Sequence, residues 1–201
     1  MKFTQIPNDT FEKLQLNAGI LATQFTPASG EVSAENIIGA TTGGVAFTAT
    51  PTYTDFGEDI DNCPANTKEL KVLDSWEVTM SGTFVTMDTK AAKLATGAAD
   101  IDGSDPTHVV PRADLLQTDF SDVWWIGDYS DVNEDGDSSG KAGFLAIHLI
   151  NALSTGGFQT QSTDAGKGNF AFEFTGHYSI TDTSKVPFEV YIKAGTEDAG
   201  E

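Results

Sequence analysis

Cysteine and arginine are all but missing from this chain of 201 residues: Cys63 is its single thiol and Arg112 its single guanidinium. One cysteine cannot close an intramolecular disulfide, so no oxidised framework is available, and a reducing compartment is the natural reading. Cations are scarce as well. With 11 Lys+Arg against 30 Asp+Glu and a formal charge of −19, the chain lacks the clustered positive charge that displaces counterions from phosphates, which excludes a conventional nucleic-acid binder. Long hydrophobic runs are also absent: the most apolar stretch, AGFLAIHLI at 142–150, is far too short to cross a bilayer. The opening MKFTQIPNDTF holds no apolar stretch of signal-peptide length, so neither export nor membrane insertion is expected. What remains is 39% hydrophobic residues with 13 Phe, enough for one folded domain.

Strict alternation of apolar and polar residues dominates, the pattern of strands with one buried and one wet face. Val45, Phe47, Ala49 and Tyr53 alternate with Thr48, Thr50, Thr52 and Thr54, and Pro51 among them points to an edge or a bulge. Trp76, Val78, Met80 and Phe84 oppose Glu77, Thr79, Ser81 and Thr83. From 169 to 180, Phe170, Phe172, Phe174, Tyr178 and Ile180 oppose Asn169, Glu173, Thr175, His177 and Ser179. A shorter stretch sets Val186, Phe188, Val190 and Ile192 against Glu189, Tyr191 and Lys193. The runs 123–129 and 144–150 are apolar on both sides and predict central strands covered on each face. One helix is expected at about 88–96, capped by Asp88 and stopped by Gly97. Residues 11–25 fit either a short helix or an extended arm, and 55–71, 98–120, 131–141 and the tail from 194 are expected as loops.

The sharpest local motif is Asp131-Val132-Asn133-Glu134-Asp135-Gly136-Asp137, with oxygen ligands at alternate positions as in the first half of a Ca²⁺ loop. Asp131, Asn133, Asp135 and Asp137 are the candidate ligands, yet Ala142 stands where a bidentate Glu should close the cage, and a solvated acidic hairpin tip explains the same letters. No metal site is therefore assigned. His108, His148 and His177 have no zinc spacing, and the Gly-rich stretches at 154–157 and 166–168 fit no phosphate loop. No catalytic motif stands out and no cofactor is implied. Trp124 and Trp125 are neighbours, so on a strand they point to opposite faces and cannot form one flat sugar platform.

Four stretches together resemble the major tail tube proteins of long-tailed (siphovirus-type) bacteriophages of Gram-positive hosts. They are ENIIGATTGGVAFTATPTYTDFGEDIDNCPANTKELK (35–71), DSWEVTMSGTFVTMDT (74–89), DFSDVWWIGDYSD (119–131) and AIHLINALSTGGFQTQSTDAGKGNFAFEFTGHYSI (146–180). The resemblance implies a mainly β fold, a β-sandwich or small barrel with one flanking helix, built from a single domain over 35–193. An N-terminal arm at 1–34 and an acidic tail at 194–201 would flank it. It also implies a virion protein made in the host cytoplasm, whose copies close into rings of six that stack into the tube for genome ejection. Its partners would be itself, the tail terminator, the tape measure and distal tail proteins, with DNA passing through unbound. The loop 55–71 would reach the adjacent ring, with Glu58, Asp59 and Asp61 beside Lys68 and Lys71 available for docking.

Physical reading agrees with that family. Open strand edges are an aggregation hazard that cyclic pairing removes. A wet strand face without cations suits a bore through which DNA must slide, and Glu77, Thr79, Ser81 and Thr83 form the cleanest such face, with the polar side of 169–179 as the second choice. The charge of −19 per copy opposes assembly, so salt or divalent cations are expected to promote it. Two other readings remain open at this stage: a secreted, Ca²⁺-assisted carbohydrate-binding β-sandwich, and a hydrolase with paired carboxylates.

Overall fold

The alternating segments pair as antiparallel strands in the computed structural model, which describes residues 14–15, 17–128 and 143–193. In chain order these are β1 (Ile20–Ala22), β2 (Ile37–Gly39), β3 (Thr41–Asp55), β4 (Lys71–Phe84), α1 (Thr89–Thr96), β5 (Ala99–Ile101), β6 (Val109–Pro111), β7 (Ser121–Asp128), β8 (Phe144–Ser154), β9 (Phe170–Thr175) and β10 (Phe188–Lys193). The protein is mainly β, a sandwich of antiparallel sheets with one flanking helix.

One layer runs β2-β1-β7-β8-β10 and the other β3-β4-β9, with β8 shared between them. The first part of β8, Phe144 to Leu149, pairs with β7 and β10, whereas Leu153 and Ser154 pair with Thr175 and Phe174 of β9. The strand changes layer through Asn151, whose φ of 48° is left-handed, a conformation Asn tolerates better than most residues. Its N–H donates to Asp122 Oδ1 at 3.0 Å and its side-chain amide to the His177 carbonyl at 3.1 Å, which fixes the corner.

Between the layers, Leu21, Val123, Trp125 and Leu149 meet Val78, Met80, Phe84, Phe172 and Phe174. Trp124 faces the other way, into a second cluster with Ala22, Phe25, Ile126, Phe144 and Ala146. The two tryptophans therefore lie on opposite faces of β7, and both faces of β7 and β8 are covered, as their two-sided apolar runs predicted. Helix α1 begins where the Asp88 carboxylate accepts the Ala91 N–H at 2.7 Å and ends at Gly97, φ 82°. It docks by burying Ala91 and Ala95.

Three expectations change. The stretch 98–120 is not all loop: β5 and β6 pair within it, with Ala99 buried. Residues 20–22, inside the segment read as an arm, form β1 between β2 and β7, with Leu21 and Ala22 fully buried. The strand expected over 169–180 stops at Thr175: the Gly176 N–H still reaches the Val78 carbonyl at 3.0 Å, in space too tight for a side chain, but the His177 N–H turns away from β4 to the Ile150 carbonyl at 3.3 Å. A Cβ on Gly176 would lie 2.7 Å from Leu149. The Ca²⁺-loop candidates Asp131, Asn133, Asp135 and Asp137, and the tail 194–201, lie outside the described residues.

Candidate functional site

The register of the second layer gathers polar residues that the sequence keeps apart. β3 and β4 pair Thr50 with Glu77 and Thr48 with Thr79, while β4 and β9 pair Thr79 with Thr175, Ser81 with Glu173 and Thr83 with Ala171. Directly paired residues share a face, and the inner face is taken by Phe47, Val78, Met80, Phe172 and Phe174. The outer face is thus Thr48, Thr50 and Thr52 on β3, Glu77, Thr79, Ser81 and Thr83 on β4, and Glu173 and Thr175 on β9. Of the 169–179 alternative, Glu173 and Thr175 join the face built on Glu77, Thr79, Ser81 and Thr83 as one surface, whereas Asn169 bridges to Gln161, Ser179 to Asp182, and His177 lies against Asn151 and Phe120. Thr155 extends that surface, its hydroxyl 2.8 Å from that of Thr175 and 3.2 Å from Glu173 Oε1. No Lys or Arg stands on these strand positions.

Sequence reasoning did not assign Thr48, Thr50, Thr52 and Thr155 to this surface. The Thr-X-Thr-X-Thr alternation beside Pro51 was the available signal, but only the pairing register shows which strand it extends. Gly82 holds that register: a Cβ there would sit 2.8 Å from the Phe172 ring and 3.1 Å from the Gly44 carbonyl. β3 forms an edge, as Pro51 suggested, with irregular pairing at Thr42/Val45 and Thr52/Tyr53.

β9 pairs with β4 from Thr79 to Phe84 and the Gly176 N–H still reaches the Val78 carbonyl, so among the described residues Lys71 to Glu77 has β3 as its only strand partner and the hairpin continues as a two-stranded arm. Its connecting loop, 56–70, folds on Asp55. One carboxylate oxygen accepts the Gly57 N–H at 2.9 Å and the other the Asn66 N–H at 2.7 Å, and these bonds hold the Asp55 carboxyl below its ordinary value of 3.8. Glu58, Asp59, Asp61 and Lys68 are exposed on this loop without ion pairs among the described residues. Lys71 instead donates to Asn66 Oδ1 at 3.0 Å and lies over the Tyr53 ring. The five candidate charges are therefore placed at one end of the hairpin but do not pair with one another. Tyr53, Phe56, Ile60, Val72 and Leu73 are exposed on the same arm.

The remaining charged clusters fasten the fold. Arg112 binds Asp119 through Nη2, lies 2.7 Å from Asp100 Oδ2 through Nε and reaches Asp114, tying β5 and β6 to the turn before β7. The Leu116 N–H and the Arg112 guanidinium, against the opposing effect of burial, hold the Asp119 carboxyl below its ordinary 3.8. His148 stacks on Trp124 at 3.8 Å between ring centroids, with Nε2 3.0 Å from Asp122 and Nδ1 3.5 Å from Glu189. The Tyr191 hydroxyl donates to Glu189 at 2.6 Å, holding that carboxyl below its usual 4.5 and raising the tyrosine above its usual 10.0.

Among the described residues, no group of three or more His, Cys, Asp or Glu is placed to hold a metal ion, and no helix is long and apolar enough to cross a membrane. Compared with known protein families and with curated proteins, the chain matches none.

Proposed function

We propose that the chain is a structural subunit of a bacteriophage tail tube: copies close into rings, rings stack, and the outer face of β3, β4 and β9 lines the bore that genome DNA travels. The observation that carries this reading is the continuous cation-free surface of Thr48, Thr50, Glu77, Thr79, Ser81, Thr83, Glu173 and Thr175. A bore that passes a polyanion quickly must not hold it. Hydroxyls give phosphates no countercharge, and Glu77 and Glu173 repel them within the Debye length of about 8–10 Å.

Two further features support assembly. A two-stranded hairpin is marginal in water, so an arm carrying exposed Tyr53, Phe56 and Ile60 calls for a partner surface. Among the described residues β2, β3 and β10 each have a single strand neighbour, and ring closure is one way to cover such edges. The aromatic residues considered for a carbohydrate platform are turned inward: Trp124 and Trp125 are 7% and 8% exposed on opposite faces, and Phe172 and Phe174 are buried between the layers.

Sedimentation velocity followed by negative-stain microscopy tests the reading. Raising protein and salt concentration is expected to produce hollow tubes of uniform width; compact monomers under every condition would overturn it. In assembled virions, a Glu77→Lys/Thr79→Lys protein is expected to form tubes and slow DNA ejection. Unchanged ejection would remove this face from the bore.

A further inference from the structure

The β3–β4 hairpin carries complementary surfaces at its two ends. At its base, the residues that lead into β3 and out of β4 border a cleft of about 320 Å³. Ile37, Ile38, Leu94 and Ile101 give it apolar walls, and Lys90 and Lys93 of α1 also line it. Three acids share the cleft, but two are already engaged: Asp119 with Arg112, and Asp88 with the Ala91 N–H that caps α1. Glu35 alone remains against the lysines. Lys90 has no partner among the described residues, and Lys93 makes a 4.0 Å contact with Asp100 and acts electrostatically on Asp119 without a direct ion pair to it. Ser121 Oγ, which also lines the cleft, is buried without a hydrogen bond.

At the other end, the loop presents Asp59-Ile60-Asp61, an exposed apolar side chain between two exposed carboxylates. The 14 residues of β4 separate tip from cleft by about 45 Å at roughly 3.3 Å per residue. A copy therefore cannot fill its own cleft. We propose that Asp59-Ile60-Asp61 of one copy docks in the cleft of another, with Ile60 among the apolar walls and the flanking carboxylates on Lys90 and Lys93. This rests on the self-assembly reading above and specifies its axial contact. Head-to-tail contacts leave a cleft open at one end and a tip at the other, so they propagate along the stack, while strand edges remain for pairing within a ring.

The test uses the full-length chain with Cys63→Ser, Asp59→Cys and Lys90→Cys, treated with a short bismaleimide after polymerisation. The expected result is a ladder of dimers, trimers and higher species on denaturing gels, while either introduced cysteine alone stops at dimers. Tubes that form normally without the ladder would overturn the docking site and leave the tube reading standing; failure of the wild-type chain to assemble would remove both. As a second measurement, Lys90→Glu/Lys93→Glu should raise the critical concentration at least about tenfold, as loss of partly desolvated charge pairs does. Adding Asp59→Lys/Asp61→Lys should restore it. A single Lys167→Glu change should leave assembly unaltered where Lys90→Glu alone weakens it, and equal inhibition by the two would contradict the proposal.

Discussion

Phe174 is fully buried between the layers, against Phe172 and close to Met80 across the register, so its truncation leaves a cavity that cannot collapse. Phe174→Ala is expected to cost about 3–5 kcal/mol and lower the melting temperature by roughly 10 °C in a thermal scan. Asp119 sets a pH dependence. Its folded carboxyl titrates below the ordinary 3.8, so its contribution is complete above that value and is lost as pH falls through the folded one. Asp119→Asn should therefore melt below the wild type at neutral pH, with the gap closing on acidification below about pH 4; a gap that stays constant would contradict the role given to this carboxylate. Some of these roles were legible in sequence and some were not. The Asp88 cap, the Gly97 stop and the opposed tryptophans follow from local geometry. The Arg112 clamp does not, because Asp100 and Asp119 reach it from separate segments.

Elements show the same division. The alternation over 76–84 and 45–54 predicts strands and their wet sides, but pairing is long-range, so only the register of β4 with β3 and β9 reveals that Glu173 and Thr175 of the second alternative share a surface with the first. β1, β5 and β6, of 3 residues each, are too short for periodicity to declare them. The arm carries an element-level prediction. In unassembled protein, amides of residues 71–77 should exchange much faster than those of 79–84, which gain β9 as a second neighbour. Assembly should protect both. Equal protection before assembly would show that the arm needs no partner. Removing the helix cap with Asp88→Ala should cost about 1 kcal/mol in chemical denaturation, and through α1 it should loosen the nearby cleft.

At the scale of the whole molecule, a charge of −19 on each copy must be screened before copies can associate. Polymerisation should therefore strengthen as salt rises from low ionic strength, and divalent cations should act at lower concentration than sodium; light scattering reads both, and tubes that form only at low salt would contradict it. Mutual repulsion and a non-binding bore have one origin in this account, since the scarcity of cations that hinders association also leaves DNA without a grip. The most direct measurement is a cryo-electron microscopy reconstruction of the polymer made by the purified chain. The account predicts a hollow cylinder with Thr48, Thr79 and Thr175 turned toward the open bore and the layer of β7 and β8 away from it. A solid filament, or a bore lined by the layer of β7 and β8, would contradict it.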